Sequence, residues 1–176
     1  MTNQTLAIRG LVASLFSLFL AACNDTTPPP SAIEQLADEY LEAWMEEDAL
    51  MGTYYAIEGT RHDRLPDNSL AGLAAWQEKE DAWLLRLERI PAPTKIGSRD
   101  WVTYGLLKEQ LESAASTRVC RDELWAASTT TSWHTWLPFV FDIQPLETPD
   151  LRAQALARLA AMGTYIDDEI DNLREG

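Results

Sequence analysis

The sequence contains only two imidazoles, His62 and His134. A zinc hydrolase announces itself as His-Glu-x-x-His on a helix, a spacing that sets two imidazoles on one face with a carboxylate base between them. That motif is absent. Also absent are the Gly-x-Ser-x-Gly elbow, the Gly-x-Gly-x-x-Gly turn, the phosphate loop and paired cysteines at zinc spacing. No residue is nominated as catalytic, cofactor-binding or metal-ligating.

Three side chains remain as candidate cleft lining: His62, Trp133 and His134. His62 lies in the run Arg61-His62-Asp63-Arg64. There an ion pair or a loop-fixing hydrogen bond competes with a role in orienting a ligand. Trp133 and His134, together with Trp136, offer aromatic faces with a polar tip that suit an amphipathic ligand. The adjoining Leu137-Pro138-Phe139-Val140-Phe141 argues instead for core packing. The acidic run Asp167-Asp168-Glu169 with Asp171 lacks the alternating ligands and central glycine of a calcium loop, so it reads as a solvated helix face.

The most specific chemistry is at the N-terminus. A polar stretch carrying Arg9 precedes the uncharged run Leu11 to Ala22, and Leu20-Ala21-Ala22-Cys23 has the form of a lipobox. Twelve residues of helix rise only ~18 Å, too little for a ~30 Å hydrocarbon core, so the segment reads as an export signal over residues 1–22. Cys23 is then the lipidation site and the new N-terminus. Several acyl chains on one terminus exceed the single-chain threshold for stable anchoring, which makes a lipid bilayer the expected partner. Residues 23–30, ending in Pro28-Pro29-Pro30, form a tether. The expected location is outside the cytoplasm, on the periplasmic side of either membrane or on the cell surface.

The elements that follow are helical. From Ser31 to about Leu50, Ile33, Leu36, Ala37, Tyr40, Leu41 and Trp44 recur every three or four residues, which predicts an amphipathic helix. Met51 to Ser69 breaks the pattern and predicts a long loop with room for one helical turn. A second helix is expected over Leu70 to Ile90, capped by Asn68 or Ser69 and stopped by Pro91 and Pro93. A third runs from Ser98 or Arg99 to Ala115, and a short buried helix spans Trp133 to Ile143. Thr148-Pro149 starts a further helix, which Gly163 is expected to divide from a last one carrying Tyr165, Ile166, Ile170 and Leu173. Thr129-Thr130-Thr131 reads as loop. With no alternating run of strand length, the fold class is all-α, an irregular bundle of about five to six amphipathic helices over residues 31–176.

Composition sets the outer limits. Of 176 residues, 46% are hydrophobic and seven are tryptophan, enough for one cored domain. Lys+Arg 14 against Asp+Glu 28 gives a net charge of −14, and loss of Arg9 with the signal makes it −15. Such a surface repels phosphate backbones, so no nucleic-acid partner is expected. With Cys23 lipidated, Cys120 has no partner for an intrachain disulfide and reads as a small buried hydrophobe.

An ordered set of segments resembles the N-terminal part of a bacterial family, domain of unknown function 885. It begins with Tyr40-Leu41 and the loop from Gly59 through Asp63-Arg64-Leu65-Pro66-Asp67-Asn68-Ser69. Leu84-Leu85-Arg86-Leu87, the Tyr104 to Glu112 helix and Leu124-Trp125 follow, then Gln144-Pro145-Leu146-Glu147-Thr148-Pro149 and Arg158-Leu159. The resemblance spans Ile33 to Gly176. It implies a mainly helical, exported protein whose longer relatives resemble zinc metallopeptidases in their C-terminal half, with zinc as their cofactor. No residue of this sequence matches those ligands, so none is carried over.

Two functions are therefore expected. In the first, residues 31–176 are the non-catalytic cleft wall or lid of a metallopeptidase-like hydrolase, with a C-terminal half as partner. The alternative is a stand-alone helical lipoprotein that binds a periplasmic or cell-surface protein. The first implies an oversized bare apolar face contributed by Tyr165, Ile166, Ile170, Leu173 and the segment Trp133 to Phe141.

Overall fold

Each long helix begins where a hydroxyl can take the first free backbone amides. In the computed structural model, which describes residues 29–125, 127–130 and 132–176, Ser31 opens α1 (Ala32–Glu47) with a reciprocal cap. Its Oγ accepts from Glu34 N at 3.2 Å, while its own N–H donates to Glu34 Oε2 at 2.9 Å. Ser69 caps α3 (Leu70–Glu88), Ser98 caps α4 (Arg99–Thr117), and Thr148 followed by Pro149 opens α6 (Pro149–Glu175). Between them lie the short α2 (Ala49–Tyr54) and α5 (Trp133–Ile143). Two 3₁₀ turns, Arg118–Cys120 and Asp122–Leu124, follow α4. Among the described residues there is no strand, and the class is all-α.

Two apolar cores hold the bundle. Leu36, Leu87, Leu107 and Leu111 form the first, where α1, α3 and α4 meet, with Tyr40, Trp83 and Tyr104 packed around them. Leu50, Leu137, Val140 and Tyr165 form the second, where α2, α5 and α6 meet, flanked by Trp133, Trp136, Met162 and Ile166. Both lie in one compact unit, Ser31–Gly176. The expected signal peptide, lipobox and Cys23 lie outside the described residues. No helix among the described residues is long and apolar enough to cross a membrane.

Several expectations are corrected. The first amphipathic run does not reach Leu50: Asp48 stops α1, its N–H returning to Trp44 O, and its carboxylate restarts the chain as α2 by accepting from Met51 N at 3.1 Å. A capping carboxylate competes with helix propagation, so Asp48 divides what periodicity alone joins. Gly163 does not divide the last helix. A mid-helix glycine costs only about 1 kcal/mol, and docking on both sides of it holds α6 continuous through 27 residues. Cys120 is exposed, because it sits on a 3₁₀ turn with no buried residue.

The face that α6 buries also differs from expectation. Leu156 and Leu159 point outward, 67% and 52% exposed, whereas Arg158, Tyr165, Glu169 and Asn172 are buried. Glu169 thus leaves the solvated acidic face to which the run Asp167 to Asp171 was assigned. The expected bare apolar surface is largely covered by the chain's own helices: Tyr165, Leu137 and Val140 are buried, and Ile166, Ile170 and Leu173 are half-buried. Within Trp133 to Phe141, Phe139 remains open at 45% exposure.

Candidate functional site

The buried stripe of α6 is polar at helical spacing, through Gln154, Arg158, Tyr165, Glu169 and Asn172, and it grips the loop between α2 and α3. Arg158 is fully buried. Its Nε donates to Arg64 O at 2.9 Å, Nη1 to Thr53 Oγ1 and Gln144 Oε1 at 3.0 Å each, and Nη2 to Ala49 O at 3.3 Å and Arg61 O at 3.2 Å. All five guanidinium N–H groups therefore find an acceptor, and none is a carboxylate. Burial pulls the Arg158 pKa down to about 10, while Asp63 and Asp48 oppose the shift, so the group stays charged at neutral pH.

His62 belongs to this node. Its N–H donates to Gln154 Oε1 at 2.8 Å, its carbonyl accepts from Gln144 Nε2 at 3.1 Å, and its Nδ1 lies 2.9 Å from Thr53 Oγ1. Burial and then the Arg158 charge push the imidazole below its usual pKa. The ring is a loop-fixing group and does not line the large cavity.

Further along α6, Asn68 donates its amide to Glu169 Oε1, and Asn172 Nδ2 donates to Asn68 O at 2.8 Å. Burial raises the Glu169 carboxyl, opposed by its hydrogen bonds to Asn68 and Tyr165. It also pushes the Tyr165 phenol up to about 12, with the Glu169 charge adding to the shift. These bonds fix Pro66-Asp67-Asn68 as one wall of a cavity of about 650 Å³.

The cavity borders the second core, whose buried residues Leu50, Val140 and Tyr165 help line it. Its aromatic lining is Trp44 from α1, Trp76 from α3, Trp125 after the second 3₁₀ turn, Trp133 and Trp136 from α5, and Tyr165 from α6. Glu47, Asp48, Asp67, Asp122 and Glu169 add carboxylates, and no lysine or arginine lines it. Burial raises Asp48 above the ordinary carboxylate range, against its bonds to Met51 and Leu50. Of these five acids, only Glu47 is in an ion pair among the described residues, with Lys79 Nζ at 3.3 Å. The same ammonium sits 5.4 Å from the centre of the Trp76 ring.

Of the three candidate lining residues, the structure places Trp133 in this wall, His62 at the Arg158 node, and His134 exposed outside it. Sequence reading missed Trp44, Trp76, Trp125 and the carboxylates, because they come from separate segments. The signal that could have found the wall is the row of polar side chains at helical spacing on α6. Among the described residues, no three His, Cys, Asp or Glu side chains come together as a metal site.

Fold and site define an all-α bundle around an aromatic, acidic cavity. The chain belongs to the family described as bacterial protein of unknown function, DUF885, whose match runs over residues 48–176. The match starts at the Asp48 cap, so α1 lies before it although the resemblance began at Ile33. No curated protein matches the chain.

Proposed function

We propose that this chain is an exported, lipid-anchored helical module whose cavity forms the substrate-binding wall of a metallopeptidase-like hydrolase. The observation that carries the reading is the cavity itself. At about 650 Å³ it falls in the size range of small-molecule sites, which are mostly apolar with a few placed polar groups. Membership of the family adds support, because nearly the whole lining falls within residues 48–176.

In this reading the chain binds and orients substrate and supplies no catalytic group or metal ligand. A C-terminal half of the kind the resemblance implies carries the zinc and the base. The division of labour rests on the sequence resemblance, and the site must be tested on its own chemistry. The gene is read past codon 176 for His-Glu-x-x-His, and its product is assayed for peptide hydrolysis that a chelator abolishes. Hydrolysis that also weakens in KM when Trp133 is replaced by alanine is expected. A product with neither the motif nor chelator-sensitive hydrolysis overturns the hydrolase reading.

A further inference from the structure

We infer that the cavity binds an organic cation, an ammonium group carried on an apolar or aromatic body. The inference deepens the substrate-binding reading by naming the class of ligand, and the site's chemistry supports it without the hydrolase assignment. Aromatic faces attract cations through their quadrupole, and carboxylates at the same wall add a directed charge. Asp48, Asp67, Asp122 and Glu169 bring four acids to the cavity with no ion-pair partner among the described residues. An anionic ligand would be repelled by these acids, and a neutral one would gain nothing from their charge.

The chain itself supplies a second observation. Lys79 lays its ammonium over Trp76 while pairing with Glu47, two residues of the cavity wall. Lys79 is not a lining residue, and its side chain is 52% exposed. Its ammonium therefore shows that an aromatic face and a carboxylate of this wall together hold a cation. Trp133, Trp136 and Tyr165 provide the apolar surface, and Asp67 and Glu169 flank it from the loop and from α6.

The test is a titration of the full chain, followed by tryptophan fluorescence and calorimetry, with benzyltrimethylammonium, benzyl alcohol and phenylacetate as probes. The cation is expected to bind saturably and at least tenfold tighter than the alcohol, with no binding of the anion. The double variant Asp67→Asn with Asp122→Asn should weaken the cation at least tenfold. Lys79→Met removes the internal competitor and should tighten it, while Trp101→Phe, outside the cavity, should change nothing. Equal binding of cation and alcohol by the unmodified chain overturns the proposal even if a variant fails to fold, and so does weaker cation binding in Lys79→Met. Loss of the hydrolase reading appears separately, as absent chelator-sensitive hydrolysis with cation binding intact.

Discussion

Arg158 and Thr53 lie 105 residues apart and are joined by a 3.0 Å hydrogen bond from the guanidinium Nη1 to the threonine Oγ1. The same oxygen lies 2.9 Å from His62 Nδ1 and 2.9 Å from Ala49 O. One hydroxyl thereby ties α2, the following loop and α6 together. The positive charge at the centre is solvated by backbone and side-chain oxygens in place of water.

Replacing Arg158 with methionine keeps comparable bulk and takes a donor from each of five acceptors, of which Ala49 O and Thr53 Oγ1 keep another partner. Leaving buried neutral acceptors without their donor costs about 1–3 kcal/mol. The expected result is a loss of that size in urea unfolding. Arg158→Lys should recover only part of it, since an ammonium has three donors at one point and cannot reach all five oxygens. A loss below about 1 kcal/mol for the methionine variant, the worth of a single ordinary hydrogen bond, contradicts this account.

His62 makes stability depend on pH in a defined direction. Its folded pKa lies below the ordinary 6.5 because burial and the Arg158 charge disfavour the imidazolium, with Asp63 opposing. The unfolded chain therefore binds more protons just below about pH 6.5 than the folded one, and stability rises with pH there. The stabilisation is full above the unfolded pKa and is lost as pH falls through the window beneath it. His62→Asn places an amide near the Nδ1 position and cannot titrate. Melts between about pH 5.5 and 7.5, above the ordinary carboxylate range, should slope less for this variant; equal slopes sink the assignment.

Two helix glycines should respond in opposite senses to alanine. A Cβ at Gly163 meets nothing within 4 Å, so Gly163→Ala should stabilise α6 by about 1 kcal/mol. At Gly72 a Cβ would lie 2.4 Å from Asp67 Cγ and 2.6 Å from Asp67 O. Gly72→Ala must push back a cavity wall, with an expected cost of about 1–3 kcal/mol and a changed tryptophan emission. A lower melting temperature for Gly163→Ala, or a higher one for Gly72→Ala, would contradict that residue's placement.

Lipid anchoring has its own test at Cys23. In membranes from the expressing bacterium, the unmodified chain should pellet and carry acyl mass on its N-terminal cysteine. Cys23→Ser should appear in the soluble fraction without that mass. A serine variant that still pellets, or an unacylated native chain, removes the anchor from the proposed function.

Local rules were sufficient for most helix boundaries. Ser69, Ser98 and Thr148-Pro149 place starts where the structure has them, since a cap depends on residues within one turn. The short α5 over Trp133–Ile143 was legible from its apolar run, since Ser132 gives it no side-chain cap, and the all-α class and the family were legible as well. Local rules failed where two signals compete in one stretch. Asp48 caps α2 within a periodic run, and Gly163 stays helical because its neighbours dock.

Only the tertiary structure decided which face of α6 is inside. By hydropathy Leu156 and Leu159 outrank Arg158, yet Arg158 is buried and they are exposed. The reason is that the loop between α2 and α3 presents carbonyl oxygens, and a buried carbonyl without a donor costs more than an exposed leucine. The cavity has the same origin. Trp44, Trp76, Trp125 and Trp133 are spread along the sequence and become one wall only when the Arg158 and Asn68 contacts set α6 against the loop. Composition supplied the tryptophans and the excess of acid, and packing brought them to the same place.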